Sequence, residues 1–278
     1  MNILIRDTYE EMSKVGAEII ASFIREKPNC VIGLATGSTP IGTYKELIRM
    51  HKEEGLDFSQ VRTFNLDEYL GVGMDLNKPY DQDQSYARFM YEEFFKHINI
   101  PKENALVPDG LTKDPEAYCQ WYEEQIKAAG GIDIQLLGLG RDGHWGFNEP
   151  GSSLASRTRV VPLTQETLDD NYEAFYKKAG ISRDDMPKFA ITMGIGTILE
   201  ARNAVMLVNG AHKAEIVAQA IEGPVTGQVT ASAMHLYPGN LTIVLDKPAA
   251  SKLQRIDHYI HVEKAMKEYG LEFKGAGE

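Results

Sequence analysis

Cysteine is scarce in this chain, and long apolar runs are absent. Cys30 and Cys119 are its two cysteines among 278 residues, and neither forms a CxxC pair or a spacing typical of metal ligands. We therefore expect two buried free thiols. No apolar run approaches the ~20 residues that a membrane-spanning helix needs, and residues 1–7 predict a short strand rather than a signal peptide. The sequence predicts a cytoplasmic protein with no membrane partner.

Positive charge is also in short supply. Lysine and arginine number 29 against 40 aspartates and glutamates, which leaves a net charge of −11. This balance argues against nucleic acid or an anionic membrane as a partner, so an anionic ligand would have to be held by local groups. Internal repeats and Pro/Gly/Ser-rich linkers are missing too. We therefore expect one domain over residues 1–278.

Apolar strand-like segments alternate with helix-like segments along almost the whole chain. This alternation predicts an α/β protein, a single-domain three-layer Rossmann-like fold with a mostly parallel central sheet and helices on both faces. Two regions are irregular: 71–85 is polar, and 151–187 is long, mixed and has few core positions. Long irregular segments are often lids or binding loops, and a simple surface excursion is the alternative for the first. Strands are predicted at 3–5, 30–35, 61–66, 132–139, 189–193, 204–208 and 241–245, and helices after Asp7, from Pro40, and at 86–98, 115–129 and 211–221.

Small and hydroxyl-bearing residues lie between the second predicted strand and the helix that follows it. Residues 34–40 read LATGSTP. Consecutive N–H groups at Gly37, Ser38 and Thr39 can face an anion at a helix N-terminus. The segment is neither a Walker A loop nor a GxGxxG motif. Two interpretations are open: phosphate binding, or an ordinary strand-to-helix turn.

An acidic pair follows the third predicted strand, where residues 64–69 read FNLDEY. The end of such a strand is the side of the sheet at which ligands bind. A carboxylate of Asp67 there can take a proton from a carbon next to a carbonyl. The alternative is that Asp67 caps a turn.

A glycine-rich segment, GLGRDGHWGFNEP at 138–150, follows the apolar run 132–137. Its glycines let the backbone turn sharply or let a ligand approach closely. His144 between Asp142 and Glu149 is typical of an imidazole that carboxylates prepare for proton transfer. Zinc would need three or four ligands, and neither HExxH nor paired cysteines are present. A structural loop with a satisfied histidine is the other alternative.

Lys213 is predicted in the first turn of a helix, after the sequence NGAH at 209–212. A lysine at that place is unfavourable for the helix dipole. A bound anion nearby would explain it, and a solvated surface lysine is the alternative.

Together these segments resemble the glucosamine-6-phosphate deaminase (isomerase) family, nearly from end to end. The DGH sequence alone is a weaker sign of this family, because sugar-phosphate lactonases carry a similar loop. DGH joined to the sequence at 147–150 and 152–159 is highly specific. The resemblance is carried by TGSTP at 36–40, TFNLDEY at 63–69, DGH at 142–144, FNEP at 147–150 and SSLASRTR at 152–159.

The resemblance implies a reaction in which glucosamine 6-phosphate and water become fructose 6-phosphate and ammonia, with no cofactor and no metal. It implies that His144 opens the sugar ring and that Asp142 and Glu149 set its orientation and protonation. Asp67 would then carry a proton between C2 and C1. The phosphate group would lie on the backbone of Gly37, Ser38 and Thr39, with Lys213 as counter-charge.

The expected lid, around residues 160–187, departs from the family pattern. Family members usually place an arginine there, in an Asn-x-Arg context, that reaches the substrate phosphate. This chain reads NYEAF at 171–175, which puts Glu173 in that place. Lys177, Lys178 or Arg183 would have to substitute for the arginine.

Ser152 and Arg159 resemble residues of members that N-acetylglucosamine 6-phosphate regulates. Those members typically add a lysine where this chain has Val161, so we expect allosteric activation to be weak or absent. The segment 71–85 is longer than the usual loop and is expected to reshape the pocket or a subunit contact. The family includes single subunits and hexamers, so a homo-oligomer is compatible with the resemblance.

Two other functions stay open. The first is a lactonase-like hydrolase of a sugar phosphate, against which Asp67 in its NLDEY setting and the NEP sequence at 148–150 argue. The second is a sugar-phosphate-binding regulator that has lost catalysis, which Glu173 keeps in consideration. Binding alone does not require Asp67, Asp142, His144 and Glu149 together, so the enzyme is the leading prediction.

Overall fold

The computed structural model describes residues 1–73, 84–177 and 180–271. Ten strands lie in these ranges and form two separate sheets. The strands are β1 (Asn2–Arg6), β2 (Val31–Leu34), β3 (Arg62–Asn65), β4 (Asp67–Tyr69), β5 (Ala105–Leu106), β6 (Ile134–Leu137), β7 (Arg159–Pro162), β8 (Phe189–Thr192), β9 (Asn203–Val208) and β10 (Asn240–Asp246).

Seven of the strands form a central sheet in the order β1, β10, β9, β6, β2, β3, β5. Every neighbouring pair in it is parallel. Strands β2, β6 and β9 are buried at every position, which is why their sequences are mostly apolar, with Gln135 and Asn203 as polar exceptions, and do not alternate. The predicted α/β fold with a mostly parallel sheet is confirmed.

The helices cover the sheet and its edges. Helices α1 and α2 pack against each other, and α9 lies along the edge strand β1. In the described part of the chain, no helix combines the length and the apolar character needed to cross a membrane. The helices are α1 (Tyr9–Glu26), α2 (Ile41–Glu54), α3 (Tyr86–Glu93), α4 (Pro115–Ala128), α5 (Gln165–Asn171), α6 (Ile195–Leu199), α7 (Ala214–Glu222), α8 (Lys247–Ala250) and α9 (Ile256–Glu268).

Several helix boundaries differ from the predicted ones, and α7 begins at Ala214 instead of 211. Thr8 rather than Asp7 caps α1, because its hydroxyl accepts a hydrogen bond from the backbone N of Glu11 at 3.2 Å. Helix α3 ends at Glu93, short of the predicted 98, since the chain turns to bury Phe94 against the ring of Tyr44, with ring centroids 4.8 Å apart. The burial of Cys30 and Cys119 as free thiols is confirmed.

The second sheet was not predicted. It is antiparallel, in the order β4, β8, β7, so the predicted strand at 189–193 belongs to it and not to the parallel sheet. The region 151–187, predicted to be irregular with few core positions, contains β7 and α5. It buries Val161, Leu163 and Tyr176. These residues pack against segments that are distant along the chain, so local periodicity did not reveal them.

The central strands bring the predicted loops together. Strands β9, β6, β2 and β3 are consecutive neighbours, and since they are parallel, their carboxyl ends lie at one edge of the sheet. The loops that carry Lys213, His144, Ser38 and Asp67 follow these four strands in that order. The chain leaves β2 for β3 on one side and later returns to β6 on the other. Ligands bind at such switch points in open α/β sheets.

Candidate active site

A cavity of about 220 Å³ lies at this edge of the sheet. All four predicted loops contribute to its wall. Larger grooves of about 420 and 360 Å³ lie elsewhere in the described structure and contain none of the predicted catalytic residues. The cavity is lined by Ala35, Thr36, Gly37, Ser38, Thr39, Pro40, Leu66, Asp67, Tyr86, Gly138, Leu139, Gly140, His144, Gly146, Phe147 and Lys213.

Asp67 is buried where the chain passes from one sheet to the other. The N–H of Leu66 donates to the carbonyl of Leu34 at 3.1 Å in the central sheet, and the carbonyl of Leu66 accepts from Met193 at 2.7 Å. Asp67 then starts β4 and pairs with Thr192 of β8. It therefore lies in a strand and does not cap a turn.

The surroundings of Asp67 favour its protonated form. Burial, with a smaller contribution from the neighbouring Glu68 carboxylate, raises the pKa of Asp67 to about 8. A carboxyl group whose pKa is close to neutrality can both accept and return a proton.

His144 is held by the tight turn of its own loop. The N–H of Gly140 donates to the carbonyl of His144 at 3.0 Å, and the N–H of Gly143 donates to the carbonyl of Gly140 at 3.1 Å. A Cβ on Gly140 would lie 2.4 Å from Nε2 of the imidazole. The ring thus rests against the backbone at a position that only glycine provides.

Asp142 is the acid that contacts His144. Its Oδ1 lies 2.5 Å from Nδ1 of the ring and accepts a hydrogen bond from the backbone N of His144 at 3.1 Å. Burial raises the pKa of Asp142, but the contacts with His144 outweigh it, so the net pKa lies below its usual value. An ionised Asp142 can fix the ring orientation and stabilise a positive imidazolium.

Glu149 lies on the same loop but bonds elsewhere. Its Oε2 accepts from the backbone N of Thr164 at 2.7 Å, and its Oε1 accepts from the hydroxyl of Thr167. The carboxylate, which is buried, therefore connects the histidine loop to the start of α5. The sequence assigned Glu149 to the orientation of His144, and that role stays a prediction.

The loop after β2 lines one side of the cavity. The hydroxyl of Tyr9 donates to the carbonyls of Ser38 and Thr39 at 3.1 and 3.0 Å, and the Thr39 hydroxyl donates to Asn209 Oδ1 at 2.7 Å. Tyr9 and Asn209, which are distant along the chain, thus fix the conformation of the loop through the Ser38 and Thr39 carbonyls and the Thr39 hydroxyl. Gly37 has φ +101 with open space around its Cα, a conformation that favours glycine.

Lys213 supplies a cation to the same cavity. It lies in a short 3-10 turn, Ala211–Lys213, directly before α7 and not in that helix's first turn as predicted. Its Nζ donates to the carbonyl of Leu139 at 2.5 Å. Burial, and then the charge of Arg141, lower the pKa of Lys213 to about 8. A bound anion would offset both effects.

Tyr86 and Phe147 form an aromatic wall that the sequence did not assign to the site. Their rings are stacked at 4° with centroids 5.9 Å apart. The hydroxyl of Tyr86 lies 3.1 Å from that of Tyr69. Neither aromatic residue belongs to a recognisable motif in its own segment. Only the contact between the start of α3 and the histidine loop identifies them as part of the site.

The described lid cations are engaged by lid acids. Lys177 Nζ bonds to Glu173 at 2.8 Å. Arg183 pairs with Asp169, lies 4.0 Å from Glu173 and stacks over the ring of Tyr172 at 4.2 Å. Glu173 is exposed and is not among the described residues that line the cavity. Lys178 lies outside the described residues, as does most of the segment 71–85.

Ser152 and Arg159 contact each other away from the cavity lining. One guanidinium nitrogen of Arg159 donates to Ser152 Oγ at 3.1 Å, and the other donates to Asn148 Oδ1 at 2.8 Å. Val161 is buried in the small sheet. Within the described ranges, no group of three or more His, Cys, Asp or Glu side chains is placed to hold a metal ion.

Asp67, His144 and Lys213 line one cavity at the switch point of a parallel sheet, which defines an α/β protein with titratable side chains at its ligand-binding edge. The chain belongs to the family of glucosamine-6-phosphate isomerases/6-phosphogluconolactonase, whose sequence model matches residues 6–243. The resemblance stated from the sequence motifs is confirmed.

Relatives and solved structures agree with this assignment. The chain is 49% identical over 251 residues to a glucosamine-6-phosphate deaminase of Thermoanaerobacter pseudethanolicus, covering 90% of this chain and 94% of the relative. It is 47% identical to one of Hahella chejuensis, covering 95% and 96%. A monomeric glucosamine-6-phosphate deaminase has a similar structure, with a TM-score of 0.84, 44% identity and coverage of 91% of this chain and 100% of that one. A 6-phosphogluconolactonase from Thermotoga maritima, at 20% identity, a TM-score of 0.64 and coverage of 88% and 99%, shares the fold alone.

Proposed function

We propose that this protein converts glucosamine 6-phosphate and water to fructose 6-phosphate and ammonia. The observation that carries the proposal is that one cavity holds Asp67, His144 and Lys213 beside the loop after β2. Relatives over nearly the whole chain are glucosamine-6-phosphate deaminases, which supports this reaction over lactone hydrolysis and over binding without catalysis.

Ring opening is the first step. His144 takes the proton of the anomeric hydroxyl, the ring C1–O5 bond breaks as the C1 carbonyl forms, and the proton goes to O5. Asp142 holds the imidazole and stabilises its charged form while it carries the proton. The product is the open-chain aldehyde.

Proton transfer between carbon atoms follows. The carboxylate of Asp67 removes the proton from C2, the C1–C2 double bond forms, and O1 takes a proton from solvent, which gives an enolamine. Asp67 then returns its proton to C1, and the proton taken up by O1 is balanced by one that the attacking water releases. The nitrogen at C2 becomes an iminium, water adds to C2, and ammonia leaves as the C2 carbonyl of fructose 6-phosphate forms. Burial of Asp67 suits this step, since a buried carboxylate is a stronger base.

The phosphate group binds on the side of the cavity that the loop after β2 forms. Backbone N–H groups of Gly37, Ser38 and Thr39 and the ammonium of Lys213 hold it. Because the described lid cations are paired with lid acids, Lys213 carries most of the charge recognition. Glu173 points toward Lys177 and does not oppose the phosphate.

Residues 160–187 act as the lid of a single domain, 1–278. Two observations support this role. Glu149 bonds to Thr164 and Thr167 at the lid's beginning, and Leu168 packs against the cluster that contains Phe147. Lid closure excludes water from the reacting carbons, and through Glu149 it reaches the loop of His144.

Every group named for the proposed reaction lies on one chain. We expect activity per chain to be independent of protein concentration, whether or not the chain forms a homo-oligomer. Ser152 and Arg159 bond to each other, but position 161 is a valine and adds no second positive charge beside them. Activation by N-acetylglucosamine 6-phosphate is therefore weak or absent. A charged sugar phosphate does not cross a bilayer unaided, so the enzyme works in the cytoplasm, where the substrate is retained.

An ammonia-release assay tests the proposal. The substrates are glucosamine 6-phosphate, glucosamine and 6-phosphogluconolactone, with fructose 6-phosphate measured in parallel. Equal yields of ammonia and fructose 6-phosphate from the first substrate are expected. Lactone hydrolysis without ammonia would assign the lactonase reaction, and tight binding of glucosamine 6-phosphate without turnover would assign a regulator.

A further inference from the structure

Glu68 is fully buried directly beside Asp67, yet it is not part of the cavity wall. Both residues belong to β4, and successive side chains of a strand point to opposite faces. Asp67 faces the cavity, so Glu68 faces the other way, toward the start of α3. A charged group is buried at such a place only when it has strong partners.

The carboxylate of Glu68 accepts four hydrogen bonds. Oε1 accepts from the backbone N of Tyr69 at 2.9 Å and of Tyr86 at 3.0 Å. Oε2 accepts from Ser85 Oγ at 2.7 Å and from the backbone N of Ala87 at 2.9 Å. Two of these donors are first-turn N–H groups of α3, which have no partner within the helix and favour a negative charge. A glutamine could not accept all four bonds, because its amide nitrogen would face a donor.

These bonds determine where Tyr86 lies. Tyr86 is the first residue of α3, and its ring lines the cavity beside Phe147. Its backbone N is held by Glu68, the residue next to Asp67. The proposed base and the aromatic wall are therefore joined through one carboxylate, independently of the sequence between β4 and α3.

The charge of Glu68 also acts on Asp67. Burial raises the pKa of Glu68 to about 7, against its four hydrogen bonds, which lower it. Glu68 is thus ionised over the range in which Asp67, with a pKa of about 8, loses its proton. The other titratable groups that act on Asp67 or face the same cavity are the phenols of Tyr69, Tyr86 and Tyr122, whose pKa values burial raises, and the side chains of His144 and Lys213.

We propose that Glu68 is a positioning residue of this active site, which locks the strand that carries Asp67 to the helix start that carries Tyr86. Its negative charge opposes ionisation of Asp67 and so strengthens the base. The inference rests on the proposed role of Asp67, and it assigns to Glu68 a function that its absence from the cavity wall conceals.

The test compares Glu68→Gln with Glu123→Gln. Glu123 is a matched control, because its carboxylate also accepts several bonds, from Thr158 N at 2.8 Å, Thr158 Oγ1 at 2.5 Å and Thr197 Oγ1 at 2.6 Å. It pairs with Arg157 and lines the groove of about 420 Å³ that holds no proposed catalytic group.

In Glu68→Gln, kcat for glucosamine 6-phosphate should fall about 10- to 100-fold, because small misplacements of reacting groups have effects of this order. The rising acid limb of the kcat/KM profile should also move to lower pH by roughly half a unit or more, since Asp67 loses a neighbouring negative charge. Glu123→Gln should lower the melting temperature and leave both quantities unchanged.

Several outcomes would overturn the inference. The inference is wrong if Glu68→Gln keeps the wild-type kcat and acid limb, or if Glu123→Gln changes them equally. If Glu68→Gln does not fold, Ser85→Ala removes a single donor to the carboxylate and should lower kcat about threefold; an unchanged kcat would then overturn the inference. Asp67→Asn, assayed alongside, separates the two proposals. If Asp67→Asn keeps its turnover, Asp67 is not the base. If Asp67→Asn loses turnover while Glu68→Gln keeps the wild-type kcat and acid limb, only the inference about Glu68 is wrong.

Discussion

The Cα of Gly146 lies against the carboxylate of Asp67. A Cβ at Gly146 would lie 3.1 Å from Oδ2 of Asp67 and 2.8 Å from Oγ1 of Thr192, and the glycine has φ +56. The histidine loop thus packs against the proposed base, although 79 positions separate the two residues (146 − 67). This contact joins the loop that carries His144 to the strand that carries Asp67.

Gly146→Ala should therefore reduce kcat by about 10-fold or more, because the methyl group displaces Asp67 or Thr192. Gly151→Ala is the matched control. Gly151 also has a positive φ, +92, but its Cβ would meet no atom within 4 Å. The control also introduces backbone strain, of about 1 kcal/mol or more, and should keep kcat. Steady-state kinetics of both proteins measure the difference, and equal losses would remove the proposed support of Asp67.

Asp67→Asn should keep the affinity for the substrate and lose ammonia release, by on the order of 10²–10⁴-fold, because an amide cannot accept the C2 proton. Binding is measured by calorimetry with glucosamine 6-phosphate and turnover by ammonia release. Near-normal turnover would show that another group is the base.

The stability of Asp67→Asn relative to the wild type should increase as the pH rises. Asp67 has a pKa of about 8 in the folded protein and about 4 in an unfolded chain. Between these values the folded state keeps a proton that the unfolded state has lost, so the free energy of unfolding of the wild type falls as the pH rises. The Asn side chain removes this effect.

Denaturant unfolding at pH 5 and pH 8 measures it. Between pH 5 and pH 8 the stability of Asp67→Asn relative to the wild type should rise by on the order of 3–4 kcal/mol. Asp257→Asn, at an exposed position of α9, is the control and should change stability by less than about 0.5 kcal/mol. A pH-independent gain in Asp67→Asn would contradict the raised pKa.

His144→Gln should slow the reaction of closed-ring glucosamine 6-phosphate more than that of an open-chain analogue. Glutamine keeps a polar side chain near Asp142 but cannot carry a proton. Rates for the two substrates in the same protein make the comparison internal. An equal loss for both would remove ring opening from the role of His144.

Lys213→Met should lower kcat/KM for glucosamine 6-phosphate by about 10- to 100-fold and leave turnover of glucosamine nearly unchanged, because a hydrogen bond to a charged group contributes about 1.5–3 kcal/mol. Lys247→Met, which removes an exposed lysine paired with Asp7, should change neither rate. If Lys213→Met keeps the phosphate preference, a lid cation such as Arg183 has taken over the phosphate.

Much of the site was readable from local patterns. Apolar runs marked β2, β3, β6 and β9, and the loops after them contained the small, acidic and histidine residues that line the cavity. Parallel strands of this kind place their carboxyl ends together, so the convergence followed from the fold class. The small antiparallel sheet did not follow from it, although the strand at 189–193 was predicted. Its partners β4 and β7 were not predicted, and the three short strands, of 3, 4 and 4 residues, meet only in space.

The roles of the acids divide in the same way. The contact of Asp142 with His144 was accessible from a spacing of two residues. The bonds of Glu149 to Thr164 and Thr167 and those of Glu68 to the start of α3 join separate segments, and no spacing announces them.

The order of residues along the chain thus determined which side chains are available and on which strand ends they stand, since short-range periodicity and glycine placement act within a few residues. Only the packed molecule decided which acid faces the cavity and which acid is turned inward to bind the start of α3. That choice depends on burial and on hydrogen-bond donors supplied by distant segments, and these exist only after the two sheets have come together.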